Sequence, residues 1–104
     1  MEKGTNWVKI LISDQALEWF KREVQVEAGQ SIRFYTKIYG TSPIREGYAL
    51  GFTVDTDLEN AVETTKEGIT FYVEERDLWF FEGYDLLVGY DEKLDEVAYE
   101  YSAK

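Results

Sequence analysis

The sequence predicts an α+β fold in which two helices cover a mixed, mostly antiparallel β-sheet. Two observations lead there. Short segments with the two-residue alternation of strands outnumber those with helical spacing, and they follow one another in the order β-α-β-β-β-β-α-β. A chain of 104 residues with 44% hydrophobic and 16% aromatic content can also bury one core but hardly two. Residues 1–104 are therefore read as a single domain.

The first apolar run, "WVKILI" (Trp7–Ile12), stops at Ser13, a favourable N-cap, and Asp14 follows where an acid suits the positive end of a helix. The spacing predicts a helix with Leu17, Phe20 and Val24 on one face beside Ala16, ending at Gly29. In "SIRFYTKIY", Ile32, Phe34, Thr36 and Ile38 alternate with Arg33, Tyr35, Lys37 and Tyr39, so one strand face is buried and the other is basic and aromatic. The loop "GTSP" then precedes "GYALGFTV", whose Gly47, Ala49 and Gly51 leave room for a close neighbour.

In the second half, "DTDLEN" reads as a polar connection, "AVETT" as an edge strand, "KEG" as a turn and "ITFYV" as a strand with Ile69, Phe71 and Val73 inward. "EERDLWFFEG" reads as a short helix with acids in its first turn and Gly83 at its end. Consecutive helical residues are rotated by about 100°, so Trp79, Phe80 and Phe81 cannot all face the core. One of them is expected at the surface, either over the sheet edge or in a contact with a partner. "DLLVGY" is the last expected strand, and residues 91–104 are expected as an acidic tail, mobile or loosely docked.

The chain contains no cysteine and no histidine, which excludes thiolate and imidazole chemistry, disulfides and the usual soft metal ligands. Walker and Rossmann glycine spacings are absent, and Ser42 has no histidine to activate it. Sequence-adjacent acid pairs such as Glu74 and Glu75 are expected to point apart and stay solvated. The chain is thus expected not to be an enzyme, and no cofactor is expected. Asp55, Asp57 and Glu59 resemble the start of a calcium loop, but Asn60 and Lys66 stand where that motif needs glycine and glutamate.

The formal net charge is −10, and Thr53–Lys104 holds 15 acidic and 4 basic residues against 6 and 7 in Met1–Phe52. That field repels phosphate backbones, so no nucleic-acid partner is expected. No run approaches the ~20 apolar residues of a membrane span, and the start of the chain lacks a signal-peptide core. The expected location is the cytoplasm.

The strings "ISDQALEWFKRE", "YGTSPIREGYALGF" and "GITFYVEERDLWFFEGYDLLVGYDEK", in this order, resemble the HesB/IscA family of A-type iron–sulfur biogenesis proteins, in particular its YneR-like branch. The resemblance covers roughly Val8–Tyr101 and implies a HesB/IscA-like fold. It also implies that Thr41 stands where carrier members have the cysteine of a Gly-Cys-Ser loop, and that Val97 and Tyr99 replace the two cysteines of a C-terminal Cys-Gly-Cys motif. Without thiolates a bound cluster is not expected.

The resulting expectation is a non-catalytic, accessory or regulatory binding factor in iron–sulfur cluster biogenesis. Its partners would be assembly or client proteins, and it would be a monomer or weak homodimer. Two alternatives stand beside it: an acidic protein–protein interaction module, and a small-anion-binding domain using Arg33, Lys37 and Arg45. The loop residues Thr41, Ser42 and Arg45 are the candidate ligand or partner site, with hydroxyls and a guanidinium suited to an anion. The same loop also reads as a plain turn.

Overall fold

A computed structural model describes residues 8–55 and 62–104. Most of the "DTDLEN" connection, including Asp57, Glu59 and Asn60 of the calcium-loop comparison, lies outside the described residues.

The strands are β1 (Ile10–Ile12), β2 (Ser31–Lys37), β3 (Ala49–Val54), β4 (Val62–Lys66), β5 (Ile69–Val73), β6 (Tyr84–Asp91) and β7 (Glu96–Ala103). They form two open sheets, one in the order β1-β6-β7 and the other β3-β2-β5-β4. β1 runs parallel to β6 and β2 parallel to β5, while the other three pairings are antiparallel. The α+β class and the mixed, mostly antiparallel pairing are as the alternation predicts, but the strands number seven, with β7 added, and divide between two sheets instead of one.

Ser13 caps helix α1 (Asp14–Trp19), its Oγ accepting from the Ala16 N–H at 3.0 Å. The helix continues as a π-helical turn over Phe20–Val24 and stops at Gln25, which has a left-handed φ of 62°. The expected end at Gly29 is therefore four residues too late. The wider turn closes on Phe20 O, which accepts from the Val26 N–H, and this carries Val26 into the core. Leu17 and Phe20 are buried as their spacing requires.

Phe20 is the hub of the core. Its ring lies 5.1 Å from Phe52, 5.4 Å from Trp19 and Phe71, and 6.4 Å from Phe34, mostly edge to face. Ile10, Leu86 and Val88 bring the other sheet to the same cluster.

Lys66 and Ile69 pair across the two-residue turn Glu67-Gly68, and both turn residues have positive φ, at 52° and 82°. This is the left-handed geometry that matches the twist of a tight hairpin. A Cβ on Gly68 would lie 2.9 Å from the Ala28 Cβ. Gly68→Ala is expected to cost about 1–3 kcal/mol, read as a lower denaturant midpoint, because φ strain and the clash add.

The expected helix over "EERDLWFFEG" is a 3-10 helix, Glu75–Phe81. Phe80 and Phe81 are buried and Trp79 is 45% exposed, so one of the three aromatics does stand at the surface.

Residues 91–104 do not form a tail. Glu96–Ala103 pairs along its whole length with β6, from Tyr84↔Ala103 to Asp91↔Glu96. The turn is closed by Asp91 Oδ1, which accepts from the Lys93 and Leu94 N–H groups. Asp95 then ties it to the helix: its backbone O accepts from Trp19 Nε1 at 2.7 Å, and its Oδ1 accepts from Arg22 Nη2 at 2.6 Å and from the Tyr90 hydroxyl at 2.7 Å. The acidic residues that suggested a solvated tail are in part the partners that dock it.

Tyr99 and Tyr101 of β7 pack on Phe34 and on Phe80, respectively. Burial pushes the Tyr101 hydroxyl up to about 12 and the Tyr99 hydroxyl well above the usual phenol range. Their folded-state pKa values exceed the unfolded ones, so this stabilisation is complete below the unfolded value of about 10 and is lost as pH rises through the folded values. Thermal melts should therefore fall between about pH 10 and 12, and Tyr101→Phe should flatten that fall.

Candidate functional site

Two surfaces flank the 3-10 helix. On one, Trp79 sits against the loop that joins β2 to β3. Lys37 pairs with Ala49, so Ile38 and Tyr48 flank the mouth of that loop. The Tyr48 and Trp79 rings meet edge to face at 5.1 Å, and the Arg45 guanidinium lies 6.0 Å from the centroid of the Trp79 ring. Arg45 Nη2 also donates to Trp79 O at 3.0 Å and approaches Glu82 at 3.8 Å. Trp79 is 45% exposed, and Ile38 and Tyr39, at the start of the same loop, are 68% and 91% exposed.

The loop itself is built as a tight turn. Ser42 Oγ accepts from the Arg45 N–H at 3.1 Å and donates to Arg45 O at 3.2 Å, so both capacities of the hydroxyl serve the backbone. Thr41 is exposed. Of the candidate triad Thr41, Ser42 and Arg45, only Arg45 is presented by the fold to a neighbouring element, and it points to Trp79. The Ser42 hydroxyl serves the turn, and the Arg45 guanidinium serves Trp79 and Glu82.

Arg33, Lys37 and Arg45 are not gathered either. Arg33 donates to Asp55 at 3.0 Å and lies 3.8 Å from Glu74, whereas Lys37 lines a different cavity. That cavity, of about 300 Å³, is walled by Trp19, Tyr35, Phe52, Val97 and Tyr99. Val97 and Tyr99 thus lie together on β7, and Thr41 is not among the described residues that line their cavity. Gly51 forms part of its floor, where a Cβ would come within 3.0 Å of Tyr35 Cζ, so the small residue accommodates the tyrosine ring.

The second surface is a cavity of about 530 Å³ lined by Arg33, Tyr35, Thr36, Thr53, Arg76 and Asp77. Its origin is topological. β2 pairs with β5 only from Ser31 to Phe34, because β5 ends at Val73 and the chain turns away into the 3-10 helix. The Thr36 N–H beyond that point has lost its strand partner and donates to Asp77 Oδ1 at 3.3 Å instead. Sequence reasoning missed Asp77, because an acid in a first helical turn ordinarily faces water; only its place beside the aromatic run hinted otherwise.

Comparison with known proteins bears on all of this. No family model matches the chain, and no solved structure matches it. A Bacillus subtilis protein named "Pyruvate dehydrogenase inhibitor" is 40% identical over 94 residues, spanning 90% of this chain and 99% of that protein. Uncharacterized proteins of Staphylococcus haemolyticus and Staphylococcus saprophyticus are 35% and 30% identical over 95 residues, spanning 88% of this chain and 96% and 97% of theirs.

These findings overturn the resemblance to the HesB/IscA family and its YneR-like branch. With it goes the expected role in iron–sulfur cluster biogenesis. The assembly or client partners find no support, and the reading of Thr41, Val97 and Tyr99 as replaced cysteines rested on that resemblance alone. The acidic-module and anion-binding alternatives gain no support either. The inhibitor's name agrees with the expectation that the chain is not an enzyme. By near full-length similarity, this chain belongs to the family of the Bacillus subtilis pyruvate dehydrogenase inhibitor.

Proposed function

We propose that the protein is a non-enzymatic inhibitor that binds pyruvate dehydrogenase and docks through the surface formed by Ile38, Tyr39, Arg45, Tyr48 and Trp79. The observation that carries the target is the 40% identity, over nearly the whole of both chains, to the Bacillus subtilis inhibitor. The choice of surface rests on its chemistry. Tryptophan, tyrosine and arginine dominate binding energy at protein interfaces, and here they stand together, partly exposed and held in fixed geometry by Arg45. Holding the guanidinium in advance lowers the ordering cost of association.

The reading also takes residues 1–104 as one binding unit with no resident cofactor, working in the cytoplasm as a monomer or weak homodimer. No helix among the described residues is long and apolar enough to cross a membrane. The experiment is direct binding: the cognate pyruvate dehydrogenase immobilised on a biosensor and this protein passed over it. Saturable binding that Tyr39→Ala and Trp79→Ala both weaken is expected. Equal binding by wild type and both variants would move the interface elsewhere, and no binding would remove the target.

A further inference from the structure

The cavity under Asp77 has a charge imbalance that the docking surface does not use. Arg33 and Arg76 line it, and each already has acidic partners. Arg33 Nε donates to Asp55 at 3.0 Å and its Nη1 lies 3.8 Å from Glu74, while Arg76 Nε donates to Glu74 Oε1 at 2.7 Å. Two guanidiniums thus face two carboxylates. Asp77 is the third carboxylate, only 8% exposed, and among the described residues no cation lies within ion-pair distance of it.

Its hydrogen bonding is also incomplete. Oδ1 accepts the one long bond from the Thr36 N–H at 3.3 Å, and Oδ2 is buried with no partner. Thr36 Oγ1, on the same wall, is likewise buried without a partner. Buried polar atoms left in this condition cost stability, and an unpaired carboxylate costs most. A bond of 3.3 Å is at the weak end of the range and the χ2 torsion of aspartate is soft, so the carboxylate can turn Oδ2 into the cavity at small cost.

We propose that this cavity is a binding site for an ammonium or guanidinium group, received by Asp77 Oδ2 and Thr36 Oγ1. The two guanidiniums on the wall are engaged by Asp55 and Glu74 and neither pairs with Asp77, so the group brings donors to two unpartnered acceptors and a counter-charge to the third carboxylate. The volume of about 530 Å³ falls in the range of small-ligand sites and leaves room for a body that carries the cation. Two sources carry this chemistry: a free amine or amino acid, and a lysine or arginine side chain of a partner protein.

The test is an NMR titration of the full chain, following the Thr36 and Asp77 amide resonances at constant ionic strength. The probes are L-arginine, putrescine, and capped Gly-Arg-Gly and Gly-Lys-Gly tripeptides. Tetramethylammonium, which has the charge but no donor, separates the site from attraction to the net charge of −10. Saturable shifts with the donor cations and none with tetramethylammonium are expected. Asp77→Asn keeps an acceptor for the Thr36 N–H, so the fold should persist, and it should weaken binding roughly tenfold or more, as loss of a charged hydrogen-bond acceptor does. Thr36→Val serves as a second variant and should weaken binding by a smaller factor. Tighter binding of the free amines would identify a metabolite site, and tighter binding of the tripeptides a partner side chain. Shifts that tetramethylammonium reproduces, shifts that persist unchanged in Asp77→Asn, or no shifts at all would overturn the proposal.

Discussion

Trp79→Ala is expected to weaken binding to pyruvate dehydrogenase by about 30-fold, the factor that corresponds to a hot-spot loss of about 2 kcal/mol. The fold should survive this change. The side chain is 45% exposed, and the group that fixes Arg45 is the backbone carbonyl of residue 79, which alanine retains. The truncation removes the ring that meets Tyr48 edge to face and lies beneath the guanidinium, so the anchor goes while the scaffold stays. Circular dichroism should show unchanged secondary structure and at most a shift of a few degrees in melting temperature, in line with the small cost of surface substitutions. Arg45→Lys gives a sharper version of the same test. An ammonium keeps the charge but loses the planar fork and its stacking on the ring, so affinity should fall although net charge is unchanged.

The largest effect on stability is expected from Phe20→Ala. The ring is fully buried and touches Trp19, Phe34, Phe52 and Phe71, so the cavity left behind borders both the helix and the four-stranded sheet. A loss of about 3–5 kcal/mol is expected for such a truncation. Against a total stability on the order of 5–15 kcal/mol this is a third or more. Urea unfolding should show a much lower midpoint with little change in slope. Phe20→Leu should recover most of the loss, because the helix geometry is undisturbed and much of the volume is restored.

Several parts of this molecule were legible in the sequence because one residue type has one local use. Ser13 before an acid and an apolar face announces the start of α1, and the cap forms. "KEG" announces a tight turn, and its last two residues carry the positive φ. The run Trp79-Phe80-Phe81 cannot bury all three rings, and Trp79 is the one left out.

What was not legible depended on partners far along the chain. The segment after Asp91 looks solvated because its acids are counted without Arg22 and Trp19, more than 70 residues away, which fix Asp95. The early end of the first helix follows from a π turn that brings Val26 inward, and no capping signal marks Gln25. Asp77 draws its role from the point where β5 stops pairing with β2, a property of topology alone. The proposed docking surface was half visible: Arg45 and an exposed aromatic were both expected, but nothing local says that they meet. The order of segments resembles the HesB/IscA family, whereas near full-length identity puts the chain with the Bacillus subtilis inhibitor.

Inhibition itself is the most direct test. The purified protein should be titrated into the cognate pyruvate dehydrogenase at fixed substrate while turnover is followed, with Trp79→Ala titrated in parallel. A saturable fall in turnover by wild type, displaced about 30-fold to higher concentration in the variant, is the predicted result. Turnover that stays constant to a large molar excess of the folded wild-type protein would contradict the account.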